Sequence, residues 1–361
     1  MGPARQSMIL RDRKTAIARG DPSLGMLAVL LALLACLGGC ASPTVPWEPL
    51  QDTEKPQSLV PREFLCPELA VSGTPDPRLA QEIKAFLEES GILLGYAQAG
   101  DLPIVLNSPV QAYLRGFSTG QKATFETYLR RSGRYLPMMR RIFQEHGLPQ
   151  DLVYLALVES GFNPFARSPA EAVGPWQFIE GTARGYDLKV NYWVDERRDP
   201  EKATRAAARY LKDLHHQFGC WYLAAAAYNA GEGRVGNAMQ KTAVSDFWTL
   251  AKNGCLPRET CEYVPKFIAA ALIAKNPEKY GFHAVVYQRP LDYERIKIPG
   301  GTDLRAFAQS LGVPPQALRE LNPELQRDMA PKEEQGYLLK IPRVKKGEAQ
   351  RLAQICWQAE K

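Results

Sequence analysis

The chain has 361 residues, 45% of them hydrophobic, which is enough for two globular domains. Its formal net charge is +6, but residues 1–39 hold five basic and two acidic side chains, which leaves about +3 for the rest. That charge is too small to indicate nucleic-acid binding, and the sequence has neither a phosphate-binding glycine loop nor a cysteine–histidine pattern with zinc spacing. We therefore expect no metal, no cofactor and no nucleic-acid partner.

Residues 1–39 are predicted to be a lipoprotein signal peptide. A basic stretch up to Arg19 precedes an apolar run of 14 residues, Leu24 to Leu37, which fits a signal peptide and is short for a membrane-spanning helix. The run ends in Leu-Gly-Gly-Cys40, which resembles a bacterial lipobox. The resemblance implies lipidation of Cys40, and Ala41 in place of Asp implies the periplasmic face of the outer membrane. An uncleaved membrane anchor is the alternative.

Residues 40–77 contain eight prolines and are predicted to be an extended tether. Residues 78–146 have a helical pattern, in which Ser108 is predicted to cap a helix that has Pro109 at its first position.

The segment from Asp151 to Glu159 predicts a buried helix that ends in a carboxylate. Leu152, Leu155, Ala156 and Glu159 have the spacing of a single helix face, and the other positions are apolar too. Burial disfavours the charged form, so we expect a raised pKa and a carboxyl group that can act as a general acid near neutral pH. The alternative is a structural glutamate that a helix N-terminus or a buried arginine satisfies.

Helical signals remain dense up to about residue 280, and alternating strand patterns are almost absent. Asp199 and Pro200 predict the start of a helix that runs to Phe218. Further helices are predicted over 221–230 and 262–275. The fold class is therefore mainly α.

Four short motifs follow one another through this region. They are Glu-Ser-Gly-Phe-Asn-Pro at 159–164, Gly-Pro-Trp-Gln-Phe at 174–178, Trp-Val-Asp-Glu-Arg-Arg-Asp-Pro at 193–200 and Ala-Tyr-Asn-Ala-Gly-Glu at 227–232. Together they resemble the lytic transglycosylases with a goose-lysozyme-like catalytic domain, most of all the membrane-bound type D branch. The resemblance covers roughly residues 105–285. It implies a lysozyme-like helical domain over 147–284, with residues 78–146 packed on it.

The resemblance also implies a site. Glu159 would act as acid and then base on the MurNAc-β-1,4-GlcNAc bond of peptidoglycan and leave a 1,6-anhydroMurNAc end without using water. Substrate-binding or orienting roles would fall to six residues: Ser160, Ser168, Trp176, Gln177, Tyr228 and Asn229. In particular, we expect Tyr228 to donate its hydroxyl to Glu159 and Trp176 to stack on a sugar, with a core position as the alternative for Trp176.

A glycosidase normally needs a second carboxylate. The candidates are Glu171, Glu180, Asp187, Asp195 and Glu196, and none has the interior pattern of Glu159. Asp195 is better explained as an ion-pair partner of the neighbouring arginines. Two other functions stay open, namely a lysozyme-like hydrolase that uses Glu159 and a non-catalytic peptidoglycan-binding lipoprotein. Protein partners cannot be identified from the sequence.

The C-terminal part changes character. Short strands are predicted at 285–287 and 295–298, followed by two helices and a strand that ends at Pro342. This order resembles a LysM module, a small α+β domain, over 285–345, with a charged insert at 326–335 and a C-terminal tail at 346–361. The resemblance implies binding of GlcNAc-containing glycans; a structural appendage is the alternative.

Five cysteines remain beyond the leader: Cys66, Cys220, Cys255, Cys261 and Cys356. Export to an oxidising compartment favours disulfides, and Cys255 and Cys261 bracket a short loop that could close on itself. We therefore expect that pair, and at least one cysteine without a partner in the chain.

Overall fold

The structure, a computed structural model, describes residues 94–95, 102, 104–332 and 336–359. The predictions for the leader, Cys40 and the tether lie outside the described residues. Two short antiparallel strands, β1 (Leu94–Gly95) and β2 (Ile104–Val105), pair with Leu94 opposite Val105. They precede helices α1 (Ser108–Ser118) and α2 (Lys122–Glu145). Asn107, not Ser108, caps α1, because its side-chain oxygen accepts a hydrogen bond from the Val110 N–H at 3.1 Å.

The middle of the chain is helical, as predicted. A 3₁₀ turn (Gln150–Tyr154) leads into α3 (Leu155–Ser160), followed by α4 (Glu180–Gly185), a 3₁₀ turn (Glu196–Arg198), α5 (Pro200–Phe218), α6 (Trp221–Ala230), α7 (Glu232–Thr242), α8 (Phe247–Lys252) and α9 (Arg258–Lys275). The predicted cap of α5 is confirmed, since the Asp199 carboxylate accepts from the Glu201 and Lys202 N–H groups. Among the described residues, no helix is long and apolar enough to cross a membrane.

Small side chains bring the central helices close together. The four consecutive alanines of α6, residues 224–227, are completely buried, as are the alanines on one face of α5. Packing between α5 and α6, and of α9 against α1, α3 and α6, forms the centre of the helical core. Every residue from Leu152 to Leu157 is buried as well. The segment that leads to Glu159 therefore runs through the core and comes out at its edge.

The C-terminal part forms a second, smaller core. Its elements are β3 (Tyr293–Ile298), α10 (Leu304–Ser310), α11 (Pro315–Leu321), β4 (Tyr337–Pro342), a 3₁₀ turn (Arg343–Lys345) and α12 (Lys346–Ala359). The two strands are antiparallel, with Ile298 opposite Tyr337. Residues 346–359, which we expected as a C-terminal tail, form a helix whose Ala349 and Ala353 are buried in this core.

The strand predicted at 285–287 is wrong. Val286 is 78% exposed, and the chain there runs irregularly along α2. Its backbone N–H groups are satisfied by that helix instead of by a strand, since Gln288 donates to the Arg130 carbonyl at 2.9 Å and Leu291 to the Arg134 carbonyl at 3.2 Å.

The two cores are joined by hydrogen bonds and buried charges. Val194, from the segment before α5, packs in the smaller core and forms a β-bridge with Leu325. In a buried cluster, the Lys340 ammonium lies 2.7 Å from the Asp199 carboxylate and 3.2 Å from the Glu324 carboxylate. Asp199 therefore caps α5 and also holds β4 against the start of that helix.

The predicted Cys255–Cys261 disulfide is wrong, because both residues are free thiols. Each thiol lies instead near backbone carbonyls, with Cys255 Sγ 3.7 Å from the Asn253 oxygen and Cys261 Sγ 3.6 Å from the Leu256 oxygen. Cys220 is disulfide-bonded.

Candidate active site

Glu159 lies in the last turn of α3, where the chain leaves the core. The two residues that follow the helix adopt left-handed backbone conformations, Gly161 at φ 58° and Phe162 at φ 59°. A side chain at position 161 would overlap the ring of Tyr128, so only glycine fits there. The helix therefore ends abruptly, and Glu159 stays partly exposed at the edge of the core.

The carboxyl group of Glu159 is set up to exchange a proton near neutral pH. Burial raises its pKa from the ordinary value of 4.5 to about 7. The Tyr263 hydroxyl, which donates to Oε1 at 2.6 Å, and the Lys266 ammonium lower the pKa in part, while the Glu259 carboxylate raises it. The raised pKa expected from the sequence is confirmed. A group with this pKa is substantially populated in both its acid and its base form near pH 7.

Tyr263 replaces the predicted donor. The hydroxyl of Tyr228 donates to the backbone oxygen of Trp176 at 2.7 Å, so the predicted Tyr228–Glu159 hydrogen bond is wrong. Burial and the charge of Glu159 both raise the pKa of Tyr228, so the two residues are still neighbours. Tyr263 lies on α9 among apolar residues, and a buried tyrosine hydroxyl needs a partner. That was the sequence signal that could have identified it.

A tight loop between Ser160 and Phe178 borders the carboxyl group. Ser160 Oγ donates to the Pro175 carbonyl at 2.9 Å and accepts from the Asn163 N–H at 3.0 Å. The Gln177 amide donates to the Gly174 carbonyl at 2.8 Å, and Gln177 has a φ of 49°. Strained backbone of this kind collects at functional sites, where the surrounding structure holds it in place.

The remaining predicted site residues have structural partners. Ser168 Oγ accepts from the Ala172 N–H at 3.1 Å within a turn of the same loop. Asn229, at the end of α6, accepts the Thr260 hydroxyl at 2.9 Å and so ties α6 to α9.

Trp176 is a core residue. Its side chain is completely buried, stacks on Phe143 with ring centroids 5.4 Å apart, and donates its indole N–H to the Thr204 hydroxyl at 2.9 Å. The sugar-stacking prediction is therefore wrong, and the alternative of a core tryptophan holds. The residue anchors the loop, because its backbone oxygen is the group that Tyr228 binds.

Family models match two parts of the chain. Residues 140–251 match the model described as "Transglycosylase SLT domain", and residues 292–354 match "Lytic transglycosylase MltD, LysM-like domain". The chain contains an SLT domain followed by a LysM-like domain. The SLT match includes Glu159 and the loop around it, and the LysM-like match includes α12.

Two proteins with similar sequences are named as transglycosylases. Membrane-bound lytic murein transglycosylase D of Escherichia coli K12 is 35% identical over 217 residues, which cover 59% of this chain and 46% of that protein. Peptidoglycan transglycosylase gp16 of Escherichia phage T7 is 36% identical over 124 residues, 33% of this chain and 9% of that protein. The chain thus spans about half the length of the type D relative.

Among solved structures, the 70 kDa soluble lytic transglycosylase of Escherichia coli is similar to this chain. It is 26% identical, with a TM-score of 0.35, and the match covers 43% of this chain and 26% of that one.

No other candidate acid of the SLT domain is arranged like Glu159. Each of the five carboxylates considered from the sequence has a cationic partner: Glu171 pairs with Arg167, Glu180 with Arg184, Asp187 with Arg209, Asp195 with Arg197 and Glu196 with Lys202. The expected Asp195–Arg197 ion pair is confirmed at 2.8 Å. The structure adds Glu259, an exposed residue at the start of α9 that the sequence interpretation did not consider. Within the described ranges, no group of three or more acidic, histidine or cysteine side chains could hold a metal ion.

Proposed function

We propose that this protein cleaves the glycan strands of peptidoglycan as a lytic transglycosylase, with Glu159 as both the acid and the base. The observation that carries the proposal is the Glu159 carboxyl group, whose pKa burial raises to about 7 and which the Tyr263 hydroxyl holds at 2.6 Å. The SLT family match and the relative named lytic murein transglycosylase D support it.

The chemistry needs one residue that first gives and then takes a proton. Protonated Glu159 protonates the oxygen of the MurNAc–GlcNAc bond, and the bond from that oxygen to C1 of MurNAc breaks with oxocarbenium character at C1. Ionised Glu159 then accepts the proton of the MurNAc C6 hydroxyl as its oxygen bonds to C1. Glu159 ends protonated, and the product carries a 1,6-anhydro ring without consuming water. Such intramolecular attack lowers the barrier by about 7–11 kcal/mol in favourable cases.

Tyr263 and Lys266 stabilise the ionised form of Glu159 during this cycle. The Tyr263 hydrogen bond and the Lys266 charge both favour the ionised form of Glu159, which exists between the two proton transfers. Burial favours the protonated form, which is needed at the start. The balance of these effects keeps both forms accessible near neutral pH, and Tyr263 also fixes the direction in which the carboxyl group points.

We assign orienting roles to the loop residues. The backbone of residues 174–178 is held beside Glu159 by hydrogen bonds that its carbonyl groups accept from Ser160, Gln177 and Tyr228. Ser168 and Asn229 keep the ends of the site in place, and Trp176 serves as the buried anchor. None of these residues supplies a second carboxylate, which agrees with a reaction that needs no activated water.

Replacing Glu159 by Gln tests the assignment. The variant keeps the size and the hydrogen-bond acceptor but cannot donate a catalytic proton, so release of soluble fragments from purified sacculi should fall by about 10²–10⁴-fold. Glu171→Gln is the matched control, because its carboxylate is exposed and paired with Arg167. Digestion by Glu159→Gln at the wild-type rate would show that Glu159 is not the acid.

The same proposal includes the place of the enzyme in the cell. The lipobox-like sequence supports a lipid on Cys40, with residues 1–39 removed and 40–77 as a tether on the periplasmic face of the outer membrane. Cys40→Ala should abolish incorporation of labelled palmitate and remove the protein from outer-membrane fractions. An outer-membrane location that survives this substitution would contradict the anchor.

We further propose that residues 147–284 form the catalytic domain and residues 285–345 the LysM-like module, and that the whole protein acts on peptidoglycan.

A further inference from the structure

An open groove of about 580 Å³ lies where the SLT and LysM-like domains meet. Tyr192 and Trp193 line it from the SLT domain, and Arg305, Arg327 and Lys332 line it from the LysM-like domain. A neighbouring cavity of about 380 Å³ shares Arg305 and Arg327 and adds Arg319. Neither cavity includes a residue of the candidate active site.

The groove and its neighbour carry an excess of positive charge. Four cations, Arg305, Arg319, Arg327 and Lys332, face the carboxylates of Asp303 and Asp328. Two of the arginines share Asp328, with Arg305 at 2.5 Å and Arg319 at 3.6 Å. The other carboxylate, Asp303, caps α10 by accepting two backbone N–H groups. The carboxylates of the groove therefore do not neutralise its cations.

Arg327 is the residue best placed to bind an anion. Its guanidinium lies 4.3 Å from the centroid of the Tyr192 ring, and no hydrogen bond or ion pair joins its side chain to any other residue in the described ranges. Tyr192 is itself 63% exposed and contacts Trp193 edge to face at 5.1 Å. A cation–π contact holds a guanidinium in place and leaves its N–H donors available, and two of these donors match the two oxygens of a carboxylate.

The position of the groove is fixed relative to the loop between Ser160 and Phe178. Two residues that closely follow Trp193 connect the groove to both domains. The Asp195 N–H donates to the Glu324 carbonyl of the LysM-like domain at 2.8 Å. Arg197 donates to the Phe178 carbonyl of the SLT domain at 3.2 Å, and its own backbone lies against Gly174. A ligand held in the groove is therefore held at a constant position with respect to the loop beside Glu159.

We infer that this groove binds a carboxylate of the peptidoglycan stem peptide, outside the catalytic site, with Arg327 as the main ligand-binding residue; this inference rests on the proposed function. In intact peptidoglycan the MurNAc lactyl carboxyl group is an amide, so the carboxylates are on the peptides, whereas the glycan hydroxyl and N-acetyl groups are neutral. The groove therefore binds an intact strand through its peptides, which carry more carboxylates than the single lactyl carboxylate on each MurNAc of a stripped strand. The site gives the enzyme a preference for substrate whose peptides are still attached.

Binding is measured by isothermal titration calorimetry with the full-length protein in detergent, in a Glu159→Gln background so that nothing is cleaved. The probes are a disaccharide–tetrapeptide muropeptide and a bare disaccharide, which is the same GlcNAc–MurNAc unit with its lactyl carboxyl group capped as a simple amide so that it carries no charge. Arg327→Gln should weaken binding of the muropeptide about tenfold, the scale of one charge-assisted hydrogen-bonded pair, and leave binding of the bare disaccharide unchanged. Arg327→Lys keeps the charge without the paired donors and should restore only part of the affinity. Arg351→Gln, which removes an exposed arginine from α12, is the matched control and should bind both probes as its parent does.

Equal muropeptide affinity in Arg327→Gln and its parent would overturn the inference. So would an equal loss for the bare disaccharide, which would indicate glycan recognition. Vesicles containing phosphatidylglycerol form a further arm. If Arg327→Gln lost binding to the vesicles but not to the muropeptide, the groove would be a lipid site and the inference would be wrong. Because binding is measured without turnover, failure of the proposed reaction would appear separately, as wild-type protein that leaves sacculi intact.

Discussion

The raised pKa of Glu159 predicts that Glu159→Gln stabilises the fold at alkaline pH and has little effect in acid. Between pH 4.5 and about pH 7 the folded protein keeps a proton on Glu159 that the unfolded chain releases. Stability falls as pH rises wherever the folded state binds more protons than the unfolded state. The wild type therefore loses stability through this window and stays at the lower level above it. Glutamine does not titrate and avoids this loss.

The shift from 4.5 to about 7 sets the size of the effect. At about 1.4 kcal/mol for each pKa unit, it corresponds to about 3 kcal/mol as an upper limit. Glu159 keeps some contact with solvent, so we expect about 2 kcal/mol, or roughly 4–8 °C in melting temperature for a folded region of this size. Below about pH 4 the carboxyl is neutral in both states, and the variant and the wild type should unfold at similar temperatures.

Thermal unfolding followed by circular dichroism near pH 4 and near pH 8 measures the difference. Glu126→Gln is the control, because Glu126 is exposed on α2 and has no ion pair or hydrogen bond to another described residue. Its effect should be the same at both pH values. A Glu159→Gln variant that is no more stable than the wild type near pH 8 would refute the idea that burial of this carboxyl group costs folding energy.

Three further variants test the surroundings of Glu159 and the joint between the domains. Tyr263→Phe removes a donor that favours ionised Glu159, so kcat should fall and the alkaline limb of the pH–rate profile should move to higher pH; an unmoved limb would contradict the role. Glu259→Gln removes a charge that raises the same pKa, so the limb should move to lower pH, and a change in reaction product would instead make Glu259 a second catalytic carboxylate. Lys340→Met leaves two buried carboxylates without their cation and should cost about 3–5 kcal/mol in urea unfolding, whereas an unchanged midpoint would mean the cluster contributes nothing.

Much of the fold follows from local sequence signals. Apolar periodicity and the Asp199 cap were enough to predict α5 and α6, because each signal acts within one or two turns. The raised pKa of Glu159 could also be predicted, since the segment that leads to it is apolar on every side.

The errors concern contacts between distant segments. Tyr263 lies 104 positions from Glu159 and reaches it only because α9 packs against α3. The motifs predict that Trp176 and Tyr228 contact the substrate or Glu159. Tertiary packing instead turns the Trp176 side chain into the core and directs the Tyr228 hydroxyl to a backbone oxygen. The segment after Tyr280 has β-branched residues but no partner strand, so its propensity has no effect.

Digestion of purified glycan strands in ¹⁸O-labelled water, followed by mass spectrometry, tests the central claim most directly. If Glu159 returns the proton by activating the C6 hydroxyl of the same sugar, the new ends are 1,6-anhydroMurNAc and carry no label. New reducing ends that contain ¹⁸O would show that Glu159 activates water and that the protein is a hydrolase.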